Sequence, residues 1–385
     1  MRVPGWALAL AVLASYAGLA GARLRSAGWD ATSFIVAGDA FTDRDRLDAP
    51  IRVLPNSRGY DGQFYYRLGL DPFTAEASGH GITLDNPAVR GARILYPLLG
   101  WASSLGRHAI LPWAMVGINL LGTAALAWIG AGIARRYGAP DWAGLVPALY
   151  PGFIVTVVRD TTEITAAVPM LLAVAFALRG RAWSAGLCAA VAVLARETTL
   201  FALAGFGLAE LFRSVKARRL CPALAAYAVP ACVFVVWQAA ILVHWRQAPL
   251  NGASQDLGPP LLGLARFFAT AIARIVEMPR RTPAWNGAVF SLFAACMLLM
   301  TTVPAAAVAV SRAAPAGVVL SWVFCAGLAL CFTTAIWAGP QDFLRAGTEL
   351  FLLGAVLTIV SADRGANLVL LVPTALTWAA CAWVL

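Results

Sequence analysis

The sequence predicts an all-α polytopic membrane protein, and three observations support that fold class. Of 385 residues, 60% are hydrophobic and only 12% are charged, which is about half the charge of a typical soluble domain. Apolar runs near the roughly 17–25 residues that cross a bilayer recur along most of the chain. Basic residues gather in the short loops between these runs, as they do in cytoplasmic loops. A water-soluble fold is excluded, because too few polar residues remain to cover its surface.

The apolar runs predict about 10–13 transmembrane helices. The first run, within residues 1–22, ends in small residues and could be a cleaved signal peptide. We favour an uncleaved first span, because many spans follow and an anchor needs no removal. The runs are Trp6–Ala22, Ile94–Ala134, Trp142–Val158, Ile164–Leu178, Trp183–Ala195, Thr199–Phe212, Pro222–His244, Ala284–Val310, Gly317–Trp337, Thr348–Val360 and Ala366–Leu385.

These runs form one integral membrane domain, residues 1–385, in which no internal repeat is evident. Its parts are a first span (1–22), an extracytoplasmic loop (23–93), catalytic-module spans (94–244), an extracytoplasmic interfacial loop (245–284) and C-terminal spans (285–385). Loops as long as the first one are usually functional or disordered. Its aromatic residues argue for order, and they are Phe34, Phe41, Tyr60, Phe64, Tyr65, Tyr66 and Phe73.

The net charge of +10 suggests nucleic-acid binding at first, but the placement of the charge argues against it. The basic loops (135–136, 179–181 and 213–219) lie between apolar runs and are expected on the cytoplasmic side. The first loop then faces the extracytoplasmic side of the cell inner membrane. One inconsistency remains in the run 94–134, which can hold two crossings although this topology needs an odd number. An interfacial or re-entrant part, or one basic pair outside, would account for it.

Two outer segments carry most of the remaining charge. The first loop holds nine of the nineteen carboxylates, balanced by nine arginines, so acidic side chains are concentrated where they could form a site. In the second segment, 261–277 reads as an amphipathic helix lying at the outer interface. Arginines there oppose the usual charge bias, and an anionic lipid head group would explain them. These arginines are Arg266, Arg274, Arg280 and Arg281.

No cofactor and no metal cage is predicted. The seven cysteines lie within or beside apolar runs without a CxxC pair, so they are read as small buried apolar residues. The histidines, at 80, 108 and 244, are scattered, and no spacing specifies a metal site. A divalent ion stays possible, with ligands drawn from Asp61, Asp71, His80 and Asp85.

The segment Gly59–Phe64, with the sequence GYDGQF, is the first candidate site. A carboxylate at a glycine-flexed turn can approach a substrate closely, so Asp61 could take a proton from an acceptor hydroxyl as a general base. Tyr60 and Gln63 beside it are candidate substrate-binding residues. The structural alternative, an N-cap for a short helix over 63–70, has equal weight from composition alone.

Further charged motifs stand at the ends of the apolar runs. Arginine suits phosphate, because its planar fork donates two parallel charge-assisted hydrogen bonds. Structural alternatives stay open: a lipid anchor for Arg90 or Arg93, a helix cap for Asp160, and buried Arg–Glu pairs at 159–163 and 196–197. The candidate catalytic residues are Asp61, Asp160 and Glu163, and the candidate lipid-phosphate-binding residues are Arg90, Arg93, Arg159, Arg196, Glu197 and Arg345.

No phosphate-binding loop, glycine-rich nucleotide fingerprint or metal-binding DxD domain is present in the sequence. An enzyme working outside the cytoplasm also lacks nucleotide donors. A sugar donor carried on a lipid phosphate fits arginines at span ends together with one catalytic carboxylate.

At these motifs the sequence resembles the GT-C superfamily of polyprenyl-phosphate-sugar-dependent glycosyltransferases, and within it bacterial relatives of the glycosylphosphatidylinositol mannosyltransferase II family. Over roughly the first 200 residues, YDGQFY at 60–65 is similar to the family's Trp-Asp motif and RILYPLL at 93–99 to its Pro-rich stretch. The pairs TE at 162–163 and RE at 196–197 follow in order. Tyr60 replaces the family's Trp, and Glu197 stands where relatives often lack an acid.

The resemblance implies a GT-C-like bundle whose active site lies between the first loop and the outer span ends. It implies that Asp61 is the base and that one displacement inverts the anomeric centre. The donor would be a polyprenyl-phosphate sugar, mannose-like or another hexose or pentose, and the acceptor a lipid or glycan of the cell envelope. Membrane lipids are expected partners, and nucleic acid is not.

Two other functions stay open. A flippase or transporter of lipid-linked sugars would use the same arginines, although transporters place charge near the bilayer midplane on broken helices. A non-catalytic assembly subunit of the envelope would look nearly the same in sequence. Clustered charges at span ends and in one outer loop favour the enzyme.

Overall fold

The computed structural model describes residues 3–249 and 255–384, and this part of the chain is almost entirely helical. The prediction of an all-α protein is confirmed. Residues 250–254 of the predicted interfacial loop, residues 1–2 of the first span and Leu385 of the last one lie outside the described residues.

Seventeen α-helices are described. In chain order they are α1 Gly5–Ser26, α2 Gly62–Leu70, α3 Pro87–Ala92, α4 Leu95–Ser104, α5 Leu111–Tyr137, α6 Gly152–Arg159, α7 Glu163–Ala177, α8 Ala182–Ala195, α9 Thr199–Ala217, α10 Pro222–Trp245, α11 Leu262–Glu277, α12 Pro283–Ser311, α13 Ala316–Leu330, α14 Thr334–Trp337, α15 Pro340–Ala346, α16 Thr348–Val360 and α17 Arg364–Val384. Three short 3-10 helices cover Ala31–Phe34, Arg44–Arg46 and Asp141–Leu145.

The strands are two residues long and lie in the first loop. Strand β1 (Ala37–Gly38) pairs in parallel with β2 (Val53–Leu54), and β3 (Ser78–Gly79) pairs antiparallel with β4 (Ile82–Thr83). The second pair forms a tight hairpin with His80 and Gly81 at its turn, both with positive φ.

Five described helices, α1, α5, α10, α12 and α17, are long and apolar enough to cross a bilayer. Helices α15 and α16, which meet at an angle of 54°, would make a sixth if they form one broken span. Helices α7, α8 and α13 are apolar but shorter. The apolar helices thus indicate a membrane protein, with fewer full-length spans than the sequence predicts.

The difference arises where apolar runs are interrupted. The run Trp142–Val158 is not one helix: it contains a 3-10 helix, a turn and the eight-residue α6. The run Gly317–Trp337 divides into α13 and the single turn α14. Hydropathy alone does not reveal such breaks, because the residues at the break are themselves apolar or small.

The run Ile94–Ala134, which had an inconsistent topology, divides into a short helix and a long one. Helix α4 has ten residues, about 15 Å, whereas α5 has 27 residues, about 40 Å. The chain reverses between them at Leu105 and Gly106, both in the left-handed region. By length and composition only α5 can cross, which is consistent with a single crossing in this run, and the basic pair at 135–136 lies in the last turn of α5.

The first loop is folded around its own hydrophobic cluster, as its aromatic residues predict. Helix α2 is buried along its whole length, and its aromatic residues pack against Tyr96 of α4 and Leu111 of α5. Burying this much apolar surface fixes the loop on one end of the bundle. The cluster residues are Ile35, Ala37, Phe64, Tyr65, Tyr66, Leu68, Leu70, Ile82, Leu84, Tyr96, Leu111 and Met115.

The basic loops gather at the opposite end of the bundle. The start of α1 lies against Arg135 at the end of α5, and Tyr137, Gly180 and Arg213 line one cavity. Helix α7 begins at Glu163, at the other end of the bundle, and ends beside these basic loops. Helix α8 begins beside the same loops and leads back toward Arg196. The charged motifs of the sequence therefore meet at the end that carries the first loop.

Candidate functional site

Asp61 stands at the start of α2 but does not cap it. The turn before the helix depends on Gly59, with φ +65°, where an added Cβ would lie 2.5 Å from the Gly38 nitrogen and the Val36 oxygen. The Asp61 carboxylate makes no capping hydrogen bond to the helix. Its side chain is partly buried and turns instead toward two arginines, so the capping alternative does not describe this residue.

Both carboxylate oxygens of Asp61 are held by arginine. Oδ2 accepts from Arg345 Nη2 at 2.9 Å, and Oδ1 lies 3.0 Å from Arg90 Nη2. Arg90 also donates from Nε and Nη2 to the two oxygens of Asp85, at 2.9 and 2.8 Å. Its guanidinium lies over the Phe64 ring, 4.7 Å from the centroid. Asp61 is thus the point where a residue of α15 and a residue of α3 meet.

These arginines keep Asp61 ionised. Burial acts to raise the pKa of Asp61, but the charges of Arg90 and Arg345, with a smaller effect of Arg93, outweigh it and hold the pKa well below its usual range. A carboxylate this acidic is a poor proton acceptor while both arginines remain on it.

Tyr60 lies between two guanidinium groups and joins Asp342 to Arg345. The carbon atoms of the Arg159 and Arg345 guanidiniums lie 4.4 and 5.0 Å from the ring centroid. The hydroxyl donates to Asp342 Oδ1 at 2.9 Å and accepts from Arg345 Nη1 at 2.8 Å. Burial raises the pKa of Tyr60, although Arg345 lowers it, and the phenol stays neutral.

Glu163, in the first turn of α7, is fully buried and fixes Arg345. Its Oε1 accepts from Arg345 Nε at 2.8 Å, and its Oε2 accepts from Thr161 Oγ1 at 2.5 Å and from Thr156 Oγ1 at 3.2 Å. With Asp61 and Tyr60 on the other guanidinium nitrogens, every nitrogen of Arg345 has a partner. A buried charge set of this kind holds its geometry only while its partners are present.

Arg196 binds the backbone of Arg345. Its Nη1 donates to the Arg345 carbonyl oxygen at 2.7 Å, and its Nε lies 3.6 Å from Glu349 Oε1. Thr198 donates to the same Glu349 oxygen at 2.6 Å. Arg196 therefore acts on the backbone and ion pairs around Arg345, and the structure shows no contact between Arg196 and Asp61.

Arg90, the partner of Asp61, lines a polar cavity of about 180 Å³. Arg93 crosses to the turn between α8 and α9 and donates to both oxygens of Glu197, at 3.1 and 2.6 Å. Burial acts to raise the pKa of Glu197, but Arg93 outweighs it and holds the pKa at about 2. The lining residues are Asp85, Asn86, Val89, Arg90, Ala92, Arg93, Glu197, Gln238, Pro249 and Asp256.

A larger, mainly apolar groove of about 590 Å³ runs between α11 and α12. Arg266 and Arg274 line it from α11, and Trp337 and Gln341 line it near α15. Gln341 immediately precedes Asp342, so a residue of the groove lining adjoins the residue that binds Tyr60. The predicted amphipathic helix at 261–277 is confirmed as α11.

Asp160 and Gln63 are not brought into the arginine cluster. Asp160 occupies the left-handed turn between α6 and α7, fully buried, where Oδ1 accepts from Tyr96 at 3.2 Å and Oδ2 has no partner. Burial raises the pKa of Asp160, which favours the neutral acid. Gln63 is also fully buried and holds the loop: it accepts from the Gly38 nitrogen at 3.1 Å and donates to the Arg58 oxygen at 2.8 Å.

The structure adds three acidic residues that the sequence does not place among the candidate catalytic or phosphate-binding residues, although Asp85 is considered there as a metal ligand. Asp342 binds Tyr60, Asp85 binds Arg90, and Asp256 lines the polar cavity. Asp342 stands three residues before Arg345, so the two residues share one helical face. This spacing in the sequence could have placed Asp342 in the site. Nothing local marks Asp256, because the charged residues that share its cavity are more than 50 positions away in sequence.

Comparison with known proteins found no matching family model, no similar curated protein and no similar solved structure. The fold and the site together define an integral membrane protein of helices, with an arginine–carboxylate cluster at one end of its bundle. The resemblance to GT-C enzymes remains a prediction.

Proposed function

We propose that the chain is an inverting glycosyltransferase. It would move a sugar from a polyprenyl-phosphate donor to a cell-envelope acceptor on the extracytoplasmic face of the inner membrane, using a GT-C-like bundle of about 10–13 helices in which some spans are short or broken. The observation that supports this most is that Asp61 is a carboxylate held by Arg90 and Arg345, and that Arg90 also lines a polar cavity. That arrangement supplies both a base and cations for a phosphate.

The two arginines connect donor binding to the basicity of Asp61. A phosphate offers oxygens that can take the same bidentate bonds as a carboxylate and carries charge to compete for them. When Arg90 and Arg345 turn to the donor phosphate, Asp61 loses the charges that depress its pKa. Asp61 thus becomes a competent base only when the donor is in place.

The reaction then balances in one displacement. Asp61 takes the proton of the acceptor hydroxyl as its oxygen forms a bond to the anomeric carbon, and the bond from that carbon to the phosphate oxygen breaks on the opposite face. Polyprenyl phosphate leaves with the electron pair, and Arg90 and Arg345 stabilise its added charge. Attack opposite the leaving group inverts the anomeric centre.

The apolar groove supports a lipid-borne donor. Its walls suit a hydrocarbon chain, and Arg266 and Arg274 can meet phosphate at the interface. Its end at Gln341 lies next to Asp342, which is bonded to Tyr60 of the arginine cluster. A donor whose chain occupies the groove would bring its phosphate toward Arg345.

The other charged residues take supporting parts in this proposal. Glu163 and Arg196 hold Arg345, and Tyr60 bonds to Arg345 and packs against Arg159. The Arg93–Glu197 pair lines the cavity in which the acceptor would bind. Gln63 holds the backbone of the loop, and Asp160 bonds to Tyr96 outside the arginine cluster. We propose no cofactor for the transfer step itself.

Reconstitution into liposomes with a labelled polyprenyl-phosphate sugar tests the proposal. The enzyme would consume donor and form a new glycoside when a mixture of envelope lipids and glycans is supplied. A flippase would only relocate the labelled donor across the bilayer, and an assembly subunit would do neither. The acceptor mixture is an extract of the cell envelope. If the labelled donor remains intact in the presence of this extract, the result contradicts the proposed glycosyltransferase activity.

A further inference from the structure

A second group of polar side chains lies in the outer loop, separate from the arginine cluster. It consists of Asp48 after the second 3-10 helix, His80 at the tip of the β3–β4 hairpin, and His108 in the turn between α4 and α5. His80 Nδ1 lies 2.5 Å from Asp48 Oδ2, and His108 Nε2 lies 3.8 Å from the same oxygen. One ligand atom from each residue lies within 4.8 Å of those from the other two.

Two imidazole nitrogens and one carboxylate oxygen form the ligand set of an open zinc site. Zinc takes such ligands at about 2.0–2.2 Å, which sets neighbouring ligand atoms about 3.3 Å apart in a tetrahedron. The Asp48–His80 pair must open by about 0.8 Å and the Asp48–His108 pair must close by about 0.5 Å. The two imidazole nitrogens, which lie within 4.8 Å of each other, must approach by up to about 1.5 Å. Side-chain rotation alone can supply such changes, because Asp48 is exposed and both rings are partly exposed.

The surroundings of His108 fit a metal ligand. Its Nδ1 lies 3.3 Å from the Tyr66 hydroxyl, which leaves Nε2 facing Asp48. Metal-bound histidines usually have such a partner on the second ring nitrogen, because it fixes the tautomer and the ring.

We propose that Asp48, His80 and His108 bind one Zn²⁺ ion, with water completing its coordination. The donor set suits zinc rather than Mg²⁺ or Ca²⁺, which prefer oxygen ligands. The nearby Arg67, whose guanidinium lies against Gly79 of the hairpin, carries a positive charge that lowers the affinity without removing a ligand. This site differs from the metal ligands considered in the sequence, since only His80 is common to both.

The ion would join three separate segments of the chain. It would tie the irregular stretch around residue 48 and the β3–β4 hairpin to the turn that precedes α5, the helix that crosses the membrane. Tyr66, the partner of His108, lies on α2, whose first turn presents Asp61. The site therefore acts as a clip that holds the folded outer loop on the bundle.

Direct zinc binding tests the proposal without reference to any activity. Protein purified with a tag that contains no histidine is stripped with a chelator, and Zn²⁺ is titrated by calorimetry, with Mg²⁺ as the comparison ion. We expect about one Zn²⁺ per chain, no comparable binding of Mg²⁺, and a higher thermal midpoint with Zn²⁺. The variants Asp48→Asn, His80→Gln and His108→Gln should each weaken binding by at least about tenfold.

His244→Gln is the matched control, because this third histidine bonds to the Thr74 carbonyl and has no ligand atom in the cluster. It should bind Zn²⁺ as the unchanged protein does. Equal zinc binding by the protein with all three ligands replaced would contradict the site, and so would an equal loss in the His244→Gln variant. A folded protein that takes up no Zn²⁺ would show that the three residues form only a hydrogen-bonded cluster.

Discussion

Asp61 is the central residue of the site, and its two ion pairs explain why the carboxylate is ionised and why it is a weak base in the donor-free protein. Arg90 lies on α3 and Arg345 on α15, so the Asp61 carboxylate binds residues of two separate helices. In the donor-free protein these arginines hold the pKa of Asp61 low. The carboxylate therefore stays ionised throughout the physiological range, and a change in its partners is needed to make it a base.

Replacing one arginine should move the pH dependence of the reaction. Arg90 lowers the pKa of Asp61, so Arg90→Gln raises that pKa, and Asp61 is protonated at a higher pH than before. The acid limb of the profile of kcat/KM against pH, which reports groups of the free enzyme, should therefore move to higher pH.

The control for this shift is Arg46→Gln, which changes an arginine exposed over 83% of its side chain and paired with Asp43 in the same loop. Its acid limb should stay in place. An unchanged acid limb in Arg90→Gln would mean that Asp61 is not the group that titrates.

At the scale of elements, the junction of α7 with α15 joins the two halves of the chain. Glu163 and Arg345 are separated by 182 positions and meet in a fully buried ion pair. Glu163→Ala leaves Arg345 short of one partner in a buried place, where such a loss costs about 3–5 kcal/mol. We expect a clear fall in the thermal midpoint in detergent.

Glu210 offers a matched comparison, since it also pairs with an arginine on a helix. Its partner Arg213 is exposed over 72% of its side chain, and a surface pair contributes about 1 kcal/mol or less. Glu210→Ala should thus lower the midpoint far less than Glu163→Ala. Equal effects of the two changes would contradict the structural weight given to the α7–α15 pair.

Helices α4 and α5 make a prediction about the path of the chain. Because only α5 is long enough to cross, Ser103 near the end of α4 and Arg136 near the end of α5 should lie on opposite sides of the membrane. With the seven native cysteines replaced, a membrane-impermeant thiol reagent should label Ser103→Cys in right-side-out vesicles and Arg136→Cys in inverted ones. Labelling of both positions from one side would contradict the single crossing.

At the scale of the whole molecule, the sequence predicts the class of fold better than the number of spans. Hydropathy locates nearly every apolar helix, since burial in lipid or in the bundle demands apolar residues in either case. Hydropathy does not distinguish full-length spans from the short helices α6, α7 and α8. Where a helix begins and ends within an apolar run depends on its packing against the rest of the bundle. The basic loops, which sequence alone places together, do share one end of the bundle.

The site could be predicted in part for similar reasons. The charged motifs around 60, 90, 160, 196 and 345 were visible as charge at span ends, and the fold brings most of them to one place. The partners within the cluster could not be read from the sequence, because the Asp61–Arg345 bond joins residues 284 positions apart. Gln63 and Asp160 are polar residues of the kind found in sites, and only the structure shows that Gln63 bonds to the loop backbone and that Asp160 bonds to Tyr96.

The most direct test of the central claim compares two aspartates of the same loop. Asp61→Asn keeps the shape of the side chain but removes its basicity, and Asp45→Asn changes an exposed carboxylate outside the cluster. In liposomes supplied with labelled polyprenyl-phosphate sugar and acceptor, loss of the base should slow glycoside formation by about 10²–10⁴-fold, while Asp45→Asn turns over as the unchanged protein does. Normal turnover by a correctly inserted Asp61→Asn variant would contradict the account.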